Sequence, residues 1–254
     1  MKNTSGPKAL TEYILHLSKE KANKPFFILL VQGLLAGIYI SIGAIAYFRV
    51  AASTADPGLG SFLGALVFPL GIIAVLLMHA ELFTSDCMVM TAIYAGRTRI
   101  YKIFRILFII IIANIVGCAF IAYITNVSGI FNDDVMALVT ATAMKKAFMP
   151  FGRLLVSAVL CNIIVCTGVC LAYSCQNEMA KITVLWLAIA AFTLSGTEHV
   201  IANAYYLFTA YFAGANIAFS DIIYNLLVSG LGNFIGGGII VSGANYVLAY
   251  KDIS

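Results

Sequence analysis

Ser195-Gly196-Thr197-Glu198-His199-Val200-Ile201-Ala202-Asn203 interrupts a long apolar stretch that runs from Val184 to Leu194, and it sets Glu, His and Asn side by side at the depth of a membrane span. Ionisable side chains inside a bilayer are costly and mark an ion or proton pathway by default. The Ser-Gly pair beside them predicts a discontinuous helix. Non-helical backbone at that depth survives only where it is buried in protein or lines a polar cavity. The stretch reads as the waist of a channel or transporter.

Working outward, the 254 residues are 62% apolar and 10% charged, where a soluble domain has about a quarter charged residues. A bilayer crossing takes about 20 apolar residues. Six candidate spans follow, at 25–51, 62–95, 103–125, 154–173, 182–211 and 222–250. The second and fifth are too long and too polar in the middle to be plain helices. The chain is thus expected to be an all-α membrane protein, with one six-span domain at 25–254 behind a short segment at 1–24.

That segment has five lysines and no apolar core of the signal-peptide kind, so no cleaved leader is expected. Leu10, Tyr13, Ile14 and Leu17 recur at helical spacing, which predicts an amphipathic helix on the cytoplasmic membrane surface. With the N-terminus inside, Lys2, Lys8, Lys19, Lys21, Lys24, Arg97, Arg99, Lys102, Arg105, Lys181 and Lys251 are internal, leaving Arg49, Lys145, Lys146 and Arg153 outside. The excess of internal basic residues favours both termini in the cytoplasm of a cell whose inner (plasma) membrane holds the protein. It gives no case for nucleic-acid binding. The six cysteines lie in or at the ends of apolar spans, form no CxxC pair and read as small buried hydrophobes without a function.

The chain also repeats itself. Ala113-Asn114-Ile115-Val116-Gly117 in the third span corresponds to Gly232-Asn233-Phe234-Ile235-Gly236 in the sixth. Glu81 precedes Asn114 as Glu198 precedes Asn233, and the two offsets between halves are 117 and 119 residues. Three spans lie on each side of an outer loop around Asn132, so the halves run in opposite senses. An inverted repeat with broken helices at matching positions points to a substrate path near the midplane.

Three motifs resemble the formate/nitrite transporter family along nearly the whole chain. Ala80-Glu81-Leu82-Phe83-Thr84-Ser85 is similar to its first signature, Ala158-Val159-Leu160-Cys161-Asn162-Ile163-Ile164-Val165-Cys166 to its second, and Glu198-His199-Val200-Ile201-Ala202-Asn203 to its central motif. His79, Thr167-Gly168 and Thr197 depart from the family's usual residues. The resemblance implies a homopentamer of aquaporin-like protomers in the lipid bilayer, each with its own pore for a small anion such as formate, nitrite or hydrosulfide. It implies His199 as the central pore histidine, with Thr84 as its hydrogen-bonding neighbour on a loop of the broken second span. Lys146 becomes the pore-side lysine, and Phe68, Ile72, Leu82, Phe83 and Phe192 the apolar constrictions. Thr197 with the residues after it looks most like the hydrosulfide-channel branch.

Physical chemistry gives these residues work. A bare anion in a low-dielectric slit carries a penalty of several kcal/mol. Lys146 is a compact point charge that attracts it. A histidine can exchange a proton near neutrality and so cancel the anion's charge. Glu198 is expected to accept backbone N–H bonds at the break. Glu81, Asn162 and Asn203 are expected to support the breaks with Asn114 and Asn233. Structural alternatives stand beside these: His199 as a helix cap bonded to Glu198, Lys146 as loop charge, Phe68 and Phe192 as plain core. A proton-coupled formate or nitrite transporter would use the same residues, and a neutral-solute channel would fit the fold but not the lysine. No motif for metal, phosphate or nucleophile chemistry is present, so no enzyme activity, cofactor or metal is expected.

Overall fold

The computed structural model describes residues 6–250; Lys2 and Lys251 of the charge count lie outside them. Among the described residues six helical segments are long and apolar enough to cross a membrane: 26–52, 57–77, 100–128, 151–174, 178–195 and 219–250. Large apolar side chains such as Phe27, Phe108, Val156, Leu187 and Leu227 are exposed on their outer faces, as expected of a surface solvated by lipid.

The first half contains α1 (Pro7–Ala22), α2 (Phe26–Ala52), α3 (Pro57–Val67), α4 (Leu70–Leu77), the short α5 (Phe83–Asp86), a 3-10 turn at Cys87–Met90, α6 (Thr91–Tyr94) and α7 (Ile100–Ser128). Helix α8 (Asp133–Ala147) bridges the halves. The second half contains α9 (Phe151–Ser174), α10 (Glu178–Ser195), α11 (Val200–Phe212), α12 (Phe219–Phe234), a π-helical stretch at Ile235–Val241 and α13 (Ser242–Tyr250). The second span kinks at Pro69, which lacks the amide that a continuous helix needs, and breaks after Leu77. The fifth breaks at Gly196, whose φ of 65° is left-handed.

Helix α8 was not foreseen, since that segment reads as a loop. Its own residues make it a helix: the Asn132 side chain accepts the Val135 amide at 3.1 Å, Asp133 and Asp134 occupy the first turn, and Lys145 and Lys146 the last. These are favourable charges for the two ends of a helix dipole.

Helix α1 packs on the chain itself. Thr11, Ile14, Leu15, Ser18 and Ala22 are buried, Thr11 Oγ1 donates to the Asn245 carbonyl at 3.2 Å, and Tyr13 stacks edge-on against Tyr173. Tyr13, expected on the apolar face, is half exposed.

The halves pack alike because glycine lets backbones meet. A Cβ on Gly37 of α2 would lie 2.2 Å from the Asn114 carbonyl of α7, and one on Gly236 would lie 2.3 Å from the Val159 carbonyl of α9. The first and third spans, and the fourth and sixth, are therefore in backbone contact, as small residues allow in membranes.

Candidate functional site

At each break an asparagine from another span replaces the missing helical hydrogen bonds. Asn114 Oδ1 accepts the Phe83 amide at 2.9 Å, while its Nδ2 donates to the Gly33 and Glu81 carbonyls at 2.8 and 2.9 Å. Asn233 Oδ1 accepts the Val200 amide at 2.9 Å, while its Nδ2 donates to the Ala158 and Glu198 carbonyls at 2.7 and 2.9 Å. These two sets repeat bond for bond. Two cysteines join them: Cys166 Sγ donates to the Thr84 carbonyl at 3.3 Å and Cys118 Sγ to that of Ile201 at 3.3 Å. Thr84 and Ile201 are themselves 117 residues apart. Sequence reasoning gave these thiols no task.

Asn162 reaches a break: its Nδ2 donates to the carbonyls of Thr84 at 3.0 Å and Asn233 at 2.6 Å. Asn203 differs from expectation. Its Nδ2 donates to Glu198 Oε2 at 2.7 Å and to Asn225 Oδ1 at 3.0 Å, so it bonds side chains and no freed backbone group. Glu198 differs from expectation as well. Its carboxylate takes Lys146 Nζ at 2.8 Å and the Asn203 amide, not backbone N–H groups. An ammonium satisfies a buried carboxylate more completely than amides do, because it also cancels the charge. Lys146 is therefore no loop charge. It is 8% exposed, in the last turn of α8, with its Nζ 5.7 Å from the centre of the Tyr206 ring.

The mirror position carries a larger cluster. Glu81 accepts from Lys24 at 2.8 Å and Lys21 at 2.6 Å, and Lys21 also reaches Asp86. Burial works against the charge on Lys21, but the Asp86 and Glu81 carboxylates outweigh it and hold the ammonium well above the usual lysine range. This quartet was missed. Only the repeat could have revealed it, because Asp86 stands 117 residues before Asn203 and Lys24 122 before Lys146.

His199 is the N-cap of α11. Its Nδ1 accepts the Ala202 amide at 3.2 Å, and its Nε2 lies 3.0 Å from Thr84 Oγ1. An amide can only donate, so Nδ1 is unprotonated and the proton of a neutral ring sits on Nε2, directed at Thr84. The cap role is real, but the contact with Glu198 is absent, because that carboxylate is taken by Lys146 and Asn203. Thr84 lies within α5 rather than in a loop.

Two cavities approach this pair, one reaching Ser85 next to Thr84 and the other His199. One, of about 870 Å3, is lined by Lys21, Lys24, Ile72, Glu81 and Glu178 among others; the second, of about 390 Å3, by Lys146, Phe192, Glu198, His199 and Tyr206 among others. Glu178 and Lys181 border the first and Thr193 and Ser195 the second. These residues lie at opposite ends of α10, whose 18 residues span about 27 Å, so the cavities enter from opposite faces. Leu82 and Phe83 are buried and line neither. Phe68 and Phe192 meet edge to face with centroids 6.1 Å apart, and the Phe192 ring lies 5.6 Å from that of His199. Of the expected apolar residues, Ile72 lines the first cavity and Phe192 the second, while Phe68 is buried and lines neither. Among the described residues no cluster of three or more His, Cys, Asp or Glu is placed to hold a metal.

Residues 8–247 match the family pattern for formate/nitrite transporters. The formate channel BtFdhC of Bacillus thuringiensis is 30% identical over 252 residues, covering 98% of this chain and 97% of that protein. A solved structure described as an FNT family ion channel superposes with a TM-score of 0.85 at 25% identity, over 94% of this chain and 97% of the other. A pentameric formate channel with formate bound superposes with a TM-score of 0.81 at 28% identity, over 89% and 98%.

Proposed function

The chain belongs to the formate/nitrite transporter family, and from that premise we propose that it is a channel for small monovalent anions of weak acids, with His199 and Thr84 at its narrowest, polar point. The observation that carries this is the 3.0 Å contact between Thr84 Oγ1 and His199 Nε2, a buried polar pair whose imidazole lines the second cavity and packs against Phe192. An anion arriving there meets hydrogen-bond donors: the imidazole N–H and the threonine hydroxyl. Lys146 lines the same cavity as His199.

Proton exchange at His199 has a structural condition. Handing over the Nε2 proton leaves an imidazolate unless Nδ1 has first gained one. Nδ1 gains one only by giving up the Ala202 amide, so the exchange is coupled to releasing the first turn of α11. An anion that takes that proton crosses the apolar slits as a neutral acid, without the several kcal/mol penalty of a bare charge.

Within this reading hydrosulfide is the favoured permeant, and formate and nitrite pass more weakly. Hydrosulfide is the stronger base and takes a proton from an imidazolium more readily. The formate channels among the relatives favour the opposite ranking. Proteoliposome flux at neutral pH separates the two: hydrosulfide outpacing formate supports the assignment, and formate or nitrite clearly outpacing hydrosulfide overturns it while leaving the anion channel in place. A proton-coupled transporter would show stoichiometric proton uptake with no conductance; a channel shows steady single-channel currents.

The assembly is a pentamer with a pore in each protomer, a reading supported by the pentameric relative. Both termini face the cytoplasm, supported by the distribution of basic residues. Thiol labelling of cysteines placed at Asn132 and Ser254 is expected on opposite faces, and labelling on one face overturns this topology.

A further inference from the structure

Resting on the anion-channel reading, we propose that Lys145 and Arg153 form an anion-collecting site in the cavity on the α8 side, and that this mouth admits monovalent anions faster than the opposite one. Lys146 does not supply the long-range attraction. Its ammonium is 2.8 Å from Glu198, and a paired charge presents little field at a distance. Lys145 and Arg153 line the same cavity as His199, both are exposed, and neither has a carboxylate within ion-pair distance among the described residues. Among the described residues Glu198 is the only carboxylate that lines this cavity, and it is already engaged by Lys146. The acids on this side of the chain, Asp56, Asp133, Asp134 and Asp221, line neither cavity.

The opposite mouth is different. Lys21 and Lys24 pair with Glu81 and Asp86, and Lys181 pairs with Glu178 at 2.7 Å, so each cation lining that cavity has an acidic partner. Arg97, Arg99 and Lys102 lie outside it. A cleft with low-dielectric walls and charges of one sign concentrates the counter-ion and raises its entry rate, by about 10-fold or more in favourable cases. Here that geometry exists on one side only.

The test uses the whole protein in planar bilayers with channels in one orientation and formate as the probe. At about 0.01 M ionic strength, where charges act over about 30 Å, formate current entering from the α8 mouth is expected to exceed that from the other. The double variant Lys145→Gln/Arg153→Gln should lower it by about 3- to 10-fold. Near 1 M salt, where the range is about 3 Å, and at saturating formate, variant and wild type should agree. The charge-keeping pair Lys145→Arg/Arg153→Lys should behave as wild type. Wild-type current in the Gln variant at low salt overturns the proposal, as does a deficit that persists at high salt and saturation. Absence of any formate current in the wild type overturns the channel reading on which it rests.

Discussion

At the first break Glu81 faces two lysines, Lys21 and Lys24, and the helix that follows starts after Leu82; at the second Glu198 faces one, Lys146, and the helix that follows starts after His199. Asn114 and Asn233 hold the two breaks with the same three bonds, and Cys166 and Cys118 repeat the same carbonyl contact. Leu82 and His199 stand 117 residues apart, so they occupy equivalent places. The duplicated part is scaffold, because any broken span must satisfy its freed backbone groups. The chemistry lies where the halves part company: an imidazole in place of an isobutyl group.

Reversing one charge at each break should separate them most strongly. Lys146→Glu faces Glu198 with a second carboxylate in a buried site. The expected loss is about 3–5 kcal/mol of stability, the cost of breaking a buried pair, together with collapse of anion flux. Lys24→Glu leaves Glu81 with Lys21 and should cost clearly less in the thermal unfolding of detergent-solubilised protein. Equal losses would mean that the two lysines are equivalent after all.

Asn114→Ala and Asn233→Ala test the shared scaffold. Each strips partners from one buried amide and two carbonyls, at about 2–3 kcal/mol, and the two melting shifts should agree. A shift at one site and none at the other would break the symmetry argument.

Lys21→Met addresses what only the first break has. Lys24 remains with Glu81, but Asp86 is left buried without the lysine it pairs with, so a loss of about 3 kcal/mol is expected in the same melting assay. Because the pKa of Lys21 is raised in the folded protein, its contribution is fully present below the unfolded value of about 10.4 and is lost only as pH rises through the folded one. Its own contribution is therefore constant from about pH 6 to 9, and any slope there in the difference between wild type and variant reports the Asp86 carboxylate that has lost its partner. An unchanged melting temperature in the variant would contradict the pairing.

The smallest effect is expected at His79, within the first break. Its φ of 53° makes it the one non-glycine residue in the left-handed region among those described. The resemblance gives glycine as the family's usual residue there, and the backbone angle explains why. His79→Gly relieves about 1–2 kcal/mol of strain and gives back about 0.5–1 in chain entropy, so a gain of a few tenths to about 1 kcal/mol in stability is expected. A loss would show that the imidazole holds the turn.

Much of this was legible in the sequence because bilayer physics restricts what can cross. Six apolar runs marked the spans, and Glu198-His199 after Ser-Gly marked a break that few other arrangements could tolerate. Helix α8 was hidden because Lys145 and Lys146 read as loop charges, although Asn132 and the two aspartates after it are start signals for a helix. The partners of Glu198 and Glu81 were illegible for another reason. Lys146, Lys24 and Lys21 lie 52 to 60 residues away in sequence, and no local spacing rule links such groups. His199 was legible as a residue of the break, yet which of its nitrogens carries the proton depends on the Ala202 amide, and only the folded turn reveals that.

The most direct test of the account is the pH profile of anion flux into liposomes, measured from about pH 5 to 8, where histidine changes charge, for wild type and His199→Asn. The carboxamide that replaces the imidazole can still donate a hydrogen bond but cannot titrate. The account predicts an assembled, conducting variant whose flux no longer follows the wild-type pH profile. Superimposable profiles would contradict it and leave His199 as a helix cap alone.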